Sequence, residues 1–193
     1  FASTSISSGA STLSAVTGKT LNLGALSRTA GATVNVDRTT GTGAIQGSAT
    51  LVNSILPWAT VTNTGTAAAN SAAGITFATV SGGELVPFTT ATSSNFGWTS
   101  GNDNTFNYDV TGPGGGGDTL GVARTANSVR YVGTVDTVQN YASVNLTLNA
   151  LMNASANSLT LQRSGGAGTA ALVIGNSNEL ILSAAAGPIT IAM

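Results

Sequence analysis

The chain has 193 residues, of which 41% are hydrophobic and only 7% charged, and its formal net charge is −1. Six basic residues spread over the whole chain cannot form a phosphate-neutralising patch, which argues against nucleic-acid binding, and no apolar run approaches the roughly 18 residues of a membrane-spanning helix. The absence of Cys and His excludes disulfides, thiol chemistry, a Ser-His-Asp triad and imidazole metal sites.

The first part of the chain alternates apolar and polar residues, which is the pattern of a β-strand. Two couplets show this alternation: Leu21/Leu23 and Val34/Val36. Pro57 is expected at a corner or loop exit, because Pro is poorly tolerated inside a central strand. The segment 72–88 predicts two further strands around Gly82 and Gly83.

Between residues 95 and 120, Gly, Asn, Asp and aromatic residues replace the alternation, which predicts a loop excursion. If any segment of the chain makes specific contacts with a ligand, this loop is the favoured one. The candidate ligand contacts are Trp98, Asp103, Phe106, Tyr108 and Asp109. The rings could stack on sugars, but packing is favoured because aromatic rings bury large apolar areas. The acids, with Asp118, could offer oxygens to Ca²⁺, but turn capping is favoured because their spacing matches no ordered calcium loop.

A glycine run follows within the same segment. Residues 112–117 match the G-x-G-x-x-G pattern, but no convincing helix start follows them, so nucleotide binding is disfavoured. The stretch GGGGDTL resembles a single calcium-binding nonapeptide, one residue short before Asp118. A flexible loop is the favoured interpretation of this run, and no metal or cofactor is predicted.

The C-terminal third contains closely spaced aliphatic couplets, each with both side chains on one side of a strand. The couplets are Leu146/Leu148, Leu159/Leu161, Leu172/Ile174, Leu180/Leu182 and Ile189/Ile191. Their recurrence indicates successive faces of a winding β-structure that share one core. Asparagines in and beside the strands are predicted to stack as hydrogen-bonding ladders between coils: Asn22, Asn35, Asn145, Asn149, Asn153 and Asn157.

Many short strands without helical periodicity fit either a β-sandwich or a parallel β-solenoid. A sandwich would show hairpin dipeptides such as Asn-Gly or Asp-Gly, and the sequence has neither. The sequence therefore predicts an all-β parallel solenoid over 1–193, as one segment of a longer protein, with a β-sandwich as the alternative.

Three stretches carry a family resemblance: TLNLGALSRTAGATVNV, ILPWATV and LTLNALMNASANSLTLQRSGGAGTAALVIGNSNELILSAAAGPI. They resemble bacterial autotransporter-associated β-strand repeat proteins, which are long, low-charge surface or secreted proteins. The resemblance lies on both flanks of the 95–120 segment. It implies a right-handed parallel β-helix like an autotransporter passenger stalk, displayed outside the bacterial cell. It offers no catalytic residues to carry over.

The leading functional prediction is structural and not enzymatic: a stalk, fibre or matrix segment at the bacterial outer surface. Open strand edges attract further strands, so self-association with adjacent repeats or other copies, including filaments, is expected. One alternative is an adhesin or carbohydrate-binding module that contacts surface glycans through 95–120. A second is a polysaccharide-cleaving β-helix enzyme, for which Asp103 and Asp109 are the only plausible carboxylate pair.

Overall fold

The computed structural model describes residues 1–63, 74–98, 101–114, 119–165 and 168–193. Over these residues every regular element is a β-strand, so the described part of the chain contains no helix that could cross a membrane. Stacked parallel strands make the fold a β-solenoid, which confirms the predicted fold class, and the winding is consistent with a right-handed β-helix. The chain divides into two compact units, Phe1–Thr90 and Ala91–Met193.

The first unit contains the strands β1 (Ser3–Ile6), β2 (Ala10–Leu13), β3 (Thr20–Arg28), β4 (Thr33–Asp37), β5 (Ala44–Ser48), β6 (Leu56–Asn63), β7 (Gly74–Ser81) and β8 (Glu84–Pro87). They form one sheet in the order β1-β3-β5-β8-β7-β6-β4-β2. The strands β1, β3 and β5 make one parallel row, and β2, β4 and β6 make a second. Each successive coil therefore adds one strand to each row.

A hairpin joins the two rows. The strands β7 and β8 pair antiparallel with each other, and they pair antiparallel with β6 and β5 respectively. The two strands predicted around Gly82 and Gly83 are thus confirmed. Both glycines have positive φ, 57° and 80°, as the tightest hairpin turn requires at its two central residues. Gly-Gly supplies this turn as well as Asn-Gly does, so the absence of Asn-Gly and Asp-Gly did not exclude a hairpin.

Strand alternation sets the core of the first unit. Val34 and Val36 on β4 are 3% and 1% exposed, and their partners on β6, Ala59 and Val61, are fully buried. Pro57, predicted at a corner or loop exit, is not a corner: it is the second residue of β6, which begins directly after the turn closed by the Val52–Ile55 bridge. It is tolerated there because the pairing of β6 with β4 begins at Ala59 and the β6–β7 register shifts after Leu56, so the missing N–H interrupts no regular ladder.

The second unit contains the remaining strands: β9 (Thr92–Ser94), β10 (Asn107–Val110), β11 (Thr119–Leu120), β12 (Arg124–Thr125), β13 (Ser128–Tyr131), β14 (Thr137–Tyr141), β15 (Leu146–Leu148), β16 (Ala150–Asn153), β17 (Leu159–Arg163), β18 (Leu172–Ile174), β19 (Ile181–Ser183) and β20 (Ile189–Ala192). Its described residues form three parallel sheets, β9-β10-β13-β16-β19, β11-β14-β17-β20 and β12-β15-β18. From β10 onward, consecutive strands go to different sheets, so each of these coils has three sides. The separation of equivalent positions differs between coils: Asn127 and Asn149 are 22 residues apart, whereas the register partners Leu159 and Ile189 are 30 apart.

The predicted couplets build the interior of this unit. Leu146, Leu148, Leu159 and Leu161 are fully buried in one core cluster with the aromatic residues of the preceding coils. The last couplets sit on the final strands and are only partly covered. Leu180 precedes β19 instead of lying in it, and Leu182 stacks on Leu151 of β16.

Candidate functional site

The 95–120 segment contains both loop and sheet. All four residues of β10 are buried, and this strand pairs with β9 on one side and β13 on the other. The glycines 115–117 and Asp118, which carried the nucleotide and calcium interpretations, lie outside the described residues. Within the described ranges, no group of three or more acidic residues could hold a metal ion.

The three predicted aromatic contacts lie together. The rings of Trp98 and Tyr108 are stacked at 4.7 Å between centroids, and the ring of Phe106 is stacked with Tyr108 at 6.0 Å. Phe96 packs against Trp98 at 6.3 Å. Trp98 and Tyr108 are only 4% and 2% exposed, whereas Phe106 is partly buried. The cluster therefore belongs to the core and leaves little ring surface on which a sugar could stack.

A cleft of about 330 Å³ adjoins this cluster. It is lined by Thr92, Ser93, Ser94, Asn95, Gly97, Trp98, Phe106 and Tyr108. Its size lies at the lower end of the roughly 300 to 1,000 Å³ that small-molecule sites occupy. Hydroxyl groups of β9 and the partly exposed ring of Phe106 are the groups it offers to a polar ligand. Glycan binding through this cleft stays a prediction.

Asp103 caps a turn beside the cluster. Its carboxylate accepts hydrogen bonds from the N–H of Thr105 at 2.7 Å and from the hydroxyl of Thr105 at 2.5 Å. These bonds favour the ionised form and hold the pKa of Asp103 below its ordinary value. Burial raises the pKa of the nearby Tyr108 hydroxyl, and the charge of Asp103 adds to that rise.

Asp109 lies in a buried ion pair instead of the cleft. The Nε and Nη2 atoms of Arg130 donate to its two carboxylate oxygens at 2.8 and 2.5 Å, and the two residues are 1% and 3% exposed. Their strands, β10 and β13, place them directly opposite each other. A glycosidase pair needs one carboxyl group with a raised pKa. Asp103 has a lowered pKa and Asp109 is occupied by Arg130, so these two acids give that hypothesis no support.

An asparagine ladder runs along the second unit. Asn127 donates to Asn107 at 2.8 Å, Asn149 donates to Asn127 at 2.9 Å, and Asn149 also donates to Asn176 at 2.9 Å. Ladder formation is confirmed for Asn149, and its partners were missed. The sequence feature that could have identified Asn127 as a partner is an Asn directly before each of the strands β13 and β16, with 22 residues between the two asparagines. A further amide contact joins Gln162 to Asn140 at 2.9 Å.

The other asparagines singled out from the sequence make different contacts. Asn35 accepts from the hydroxyls of two threonines on β6, and Asn22 accepts from the N–H of Gly24 in a local turn. Asn153 donates to the backbone carbonyls of Asn157 and Pro188. These side chains thus satisfy turns and single coil contacts, and do not extend the ladder.

The second unit ends in an apolar surface, here called the terminal face, formed by the outer edges of β18, β19 and β20. One aliphatic side chain from each strand is exposed there: Ile174 (51%), Leu182 (50%) and Ile191 (38%). They stack on Leu148, Leu151 and Leu161, all fully buried. No strand of the described residues pairs with these outer edges, and the three strands carry no charged side chain.

The first unit has its own edge at β1 and β2. These two strands are also uncharged, and a cleft of about 220 Å³ beside them is lined partly by Ile6, Leu13 and Leu23. This edge offers two strands, whereas the terminal face offers three. The two surfaces therefore do not match strand for strand.

The structure thus brings the three predicted aromatic residues into one cluster and places Asp109 in an ion pair outside the cleft. It also shows that the outer residues of the last three couplets form the terminal face. Comparison with protein-family models, with curated proteins and with solved structures finds no match for this chain.

Proposed function

We propose that this chain is a structural element: a β-solenoid segment of a stalk, fibre or matrix at the bacterial cell surface, which associates with a second copy of itself through the terminal face. The low charge, the stacked aliphatic rows and the asparagine ladder support a scaffold role. Each coil gains its burial from its neighbours, which is the energetic basis of a stiff repeat structure. The extracellular location is proposed on the resemblance to autotransporter repeat proteins.

The terminal face is the observation that carries the proposal. The residues Leu148, Leu151 and Leu161 are fully buried because the next coil covers them, and the residues stacked on them have the same chemistry but no such cover among the described residues. Natural sheet edges are usually protected by charges, Pro or bulges. The strands β18, β19 and β20 have none of the charges or prolines.

For this chain by itself, a second copy is the occupant that fits this surface, and in a longer protein an adjacent repeat would make the same contact. The contact would repeat the chemistry of the coil-to-coil interface already present between β16 and β19. A like-with-like contact matches three uncharged strands with three, whereas the edge of the first unit offers only two. An isologous contact of this kind closes as a dimer, and such dimers are the commonest soluble oligomers.

The experiment is a concentration series of this chain in size-exclusion chromatography with light scattering, with Leu182→Lys and Val138→Lys as matched variants. Leu182 lies on the terminal face, and Val138 is similarly exposed (42%) on the side of the coil at β14. We expect the unmodified chain and Val138→Lys to dimerise and Leu182→Lys to remain monomeric. A monomeric unmodified chain, or equal loss of association in both variants, would overturn the proposed contact.

The cell-surface location has a separate test. Antibody labelling of intact bacteria that express the full-length parent protein should reach this segment without permeabilisation. Labelling that requires broken cells would contradict the extracellular part of the proposal and leave the dimer contact to be judged by light scattering.

A further inference from the structure

The terminal face is a ramp, because a winding coil climbs as it turns. The strands β18, β19 and β20 follow one another on the three sides of this coil and stack on β15, β16 and β17. Neighbouring strands of a sheet lie about 4.7 to 4.9 Å apart, so the chain rises by this spacing in one turn and by roughly 1.6 Å from one side to the next. Along the coil axis β20 therefore projects furthest, β18 least, and β19 lies midway.

The ramp restricts how two terminal faces can meet. A like-with-like contact has a two-fold axis, here perpendicular to the coil axis and passing through the middle of one side. The strand on that side faces its own copy antiparallel, and the other two strands face each other. With β19 on the axis, the projecting β20 of one copy faces the recessed β18 of the other, and all three gaps are equal. With β18 or β20 on the axis, the gaps differ by about one full strand spacing, so the three sides cannot all form hydrogen bonds.

The free backbone groups of β19 fit the arrangement with this strand on the axis. In a parallel sheet, successive residues of a strand direct their N–H and C=O groups to opposite sides. The N–H of Ile181 donates to the carbonyl of Asn149 at 3.0 Å, on the side of β16. The N–H and C=O groups of Leu182, the central residue of β19, therefore point to the open side and can pair with the same groups of a second copy.

The flanking strands present their free groups in the same way. The N–H of Gly175 bonds to β15 and the carbonyl of Pro188 accepts from β17, so the backbone groups of the adjacent Ile174 and Ile189 point to the open side. Ile174 is the last residue of β18 and Ile189 is the first of β20. Both ends adjoin β19 along the chain, so an axis through β19 brings Ile174 of one copy opposite Ile189 of the other.

We propose, on the basis of the association put forward above, that two copies join with β19 on the two-fold axis. This strand pairs antiparallel with its own copy through Leu182, and β18 of each copy pairs with β20 of the other. The sheet β9-β10-β13-β16-β19 then continues into the same sheet of the second copy. The half-exposed side chain of Leu182 becomes covered, as that of Leu151 is covered by β19.

The test is disulfide cross-linking, to which the chain is suited because it contains no Cys. Facing residues of a hydrogen-bonded antiparallel pair have Cα atoms about 5.5 Å apart, within the range that a disulfide spans. Under mild oxidation, Leu182→Cys should shift to the mass of a linked dimer on a non-reducing gel. Ile174→Cys and Ile189→Cys should each remain unlinked alone and should link when they are mixed and allowed to exchange subunits. Val138→Cys, exposed on the side of the coil at β14, is the matched control and should remain unlinked.

The outcomes separate this strand arrangement from the association itself. If the unmodified chain dimerises but Leu182→Cys forms no linked dimer, or if Ile174→Cys links with itself, the arrangement is overturned and the association stands. A monomeric unmodified chain in light scattering would overturn both. If the cysteine variants do not fold, hydrogen exchange of the unmodified chain decides. Dimerisation should slow exchange at the N–H groups of Leu182, Ile174 and Ile189 together, and slowing at only some of them would overturn the arrangement.

Discussion

The asparagine ladder gives the sharpest stability prediction. Asn149 is fully buried and makes three hydrogen bonds at 2.9 Å: it donates to Asn127 and Asn176 and accepts from the N–H of Ser177. Replacing Asn149 with Leu keeps the number and branching of the side-chain heavy atoms but removes all three bonds. Each such bond has a net value of about 1 kcal/mol, so Asn149→Leu should lower the free energy of unfolding by ~3 kcal/mol.

The assay is urea unfolding followed by circular dichroism, with Asn22→Leu as the control. Asn22 is exposed and makes one local bond, to the N–H of Gly24. We therefore expect a change of about 1 kcal/mol or less for Asn22→Leu. Midpoints are comparable only if the slope with urea is unchanged. If Asn149→Leu cost as little as Asn22→Leu, the ladder would not be a stabilising feature and the reasoning would fail.

Three further predictions concern single contacts. Asp109→Leu and Arg130→Met should each lower the free energy of unfolding in urea by about 3 to 5 kcal/mol, because each leaves one buried charge without its partner. The double variant should lose less than the sum of the two single losses, and simple additivity would contradict this. NMR titration should place the pKa of Asp103 below 3.8, and Thr105→Val should raise that pKa. Because the pKa is lowered in the folded state, the stabilisation from Asp103 is present above the unfolded-state pKa and is lost as pH falls through the folded-state pKa. An unshifted pKa would contradict the assigned hydrogen bonds from Thr105. Gly24→Ala should lower the melting temperature and reduce the free energy of unfolding by more than about 1 kcal/mol. The φ of Gly24 is +65°, and an added Cβ would collide with the carbonyl groups of the first two residues. An unchanged melting temperature would contradict this geometry.

The sequence identified the aromatic residues near 95–120 and favoured packing as their role, but it did not show which rings contact each other. Trp98 stacks on Tyr108 because the chain leaves β9 and returns beside it as β10, and the local sequence carries no information about where the chain returns. The pairing of Asp109 with Arg130 was missed for the same reason. These residues are 21 positions apart, and only the length of one coil places them on opposite strands.

For the hairpin of the first unit, the strands could be predicted from the sequence but their pairing partners could not. Its two strands were predictable from alternation around Gly82 and Gly83, and the Gly-Gly turn was itself a hairpin signal. Its partners were not predictable, because β7 and β8 pair with β6 and β5, and these pairings depend on where the two parallel rows end.

By itself the sequence determined the all-β class and the inward-facing couplets, because alternation along a strand is a local property that reads directly from residue order. The tertiary structure alone decided which couplets are covered. Leu148 and Ile174 are equivalent aliphatic positions on β15 and β18, yet they are 0% and 51% exposed. The difference arises because burial in a solenoid is supplied by the next coil, and for Ile174 the described residues supply none.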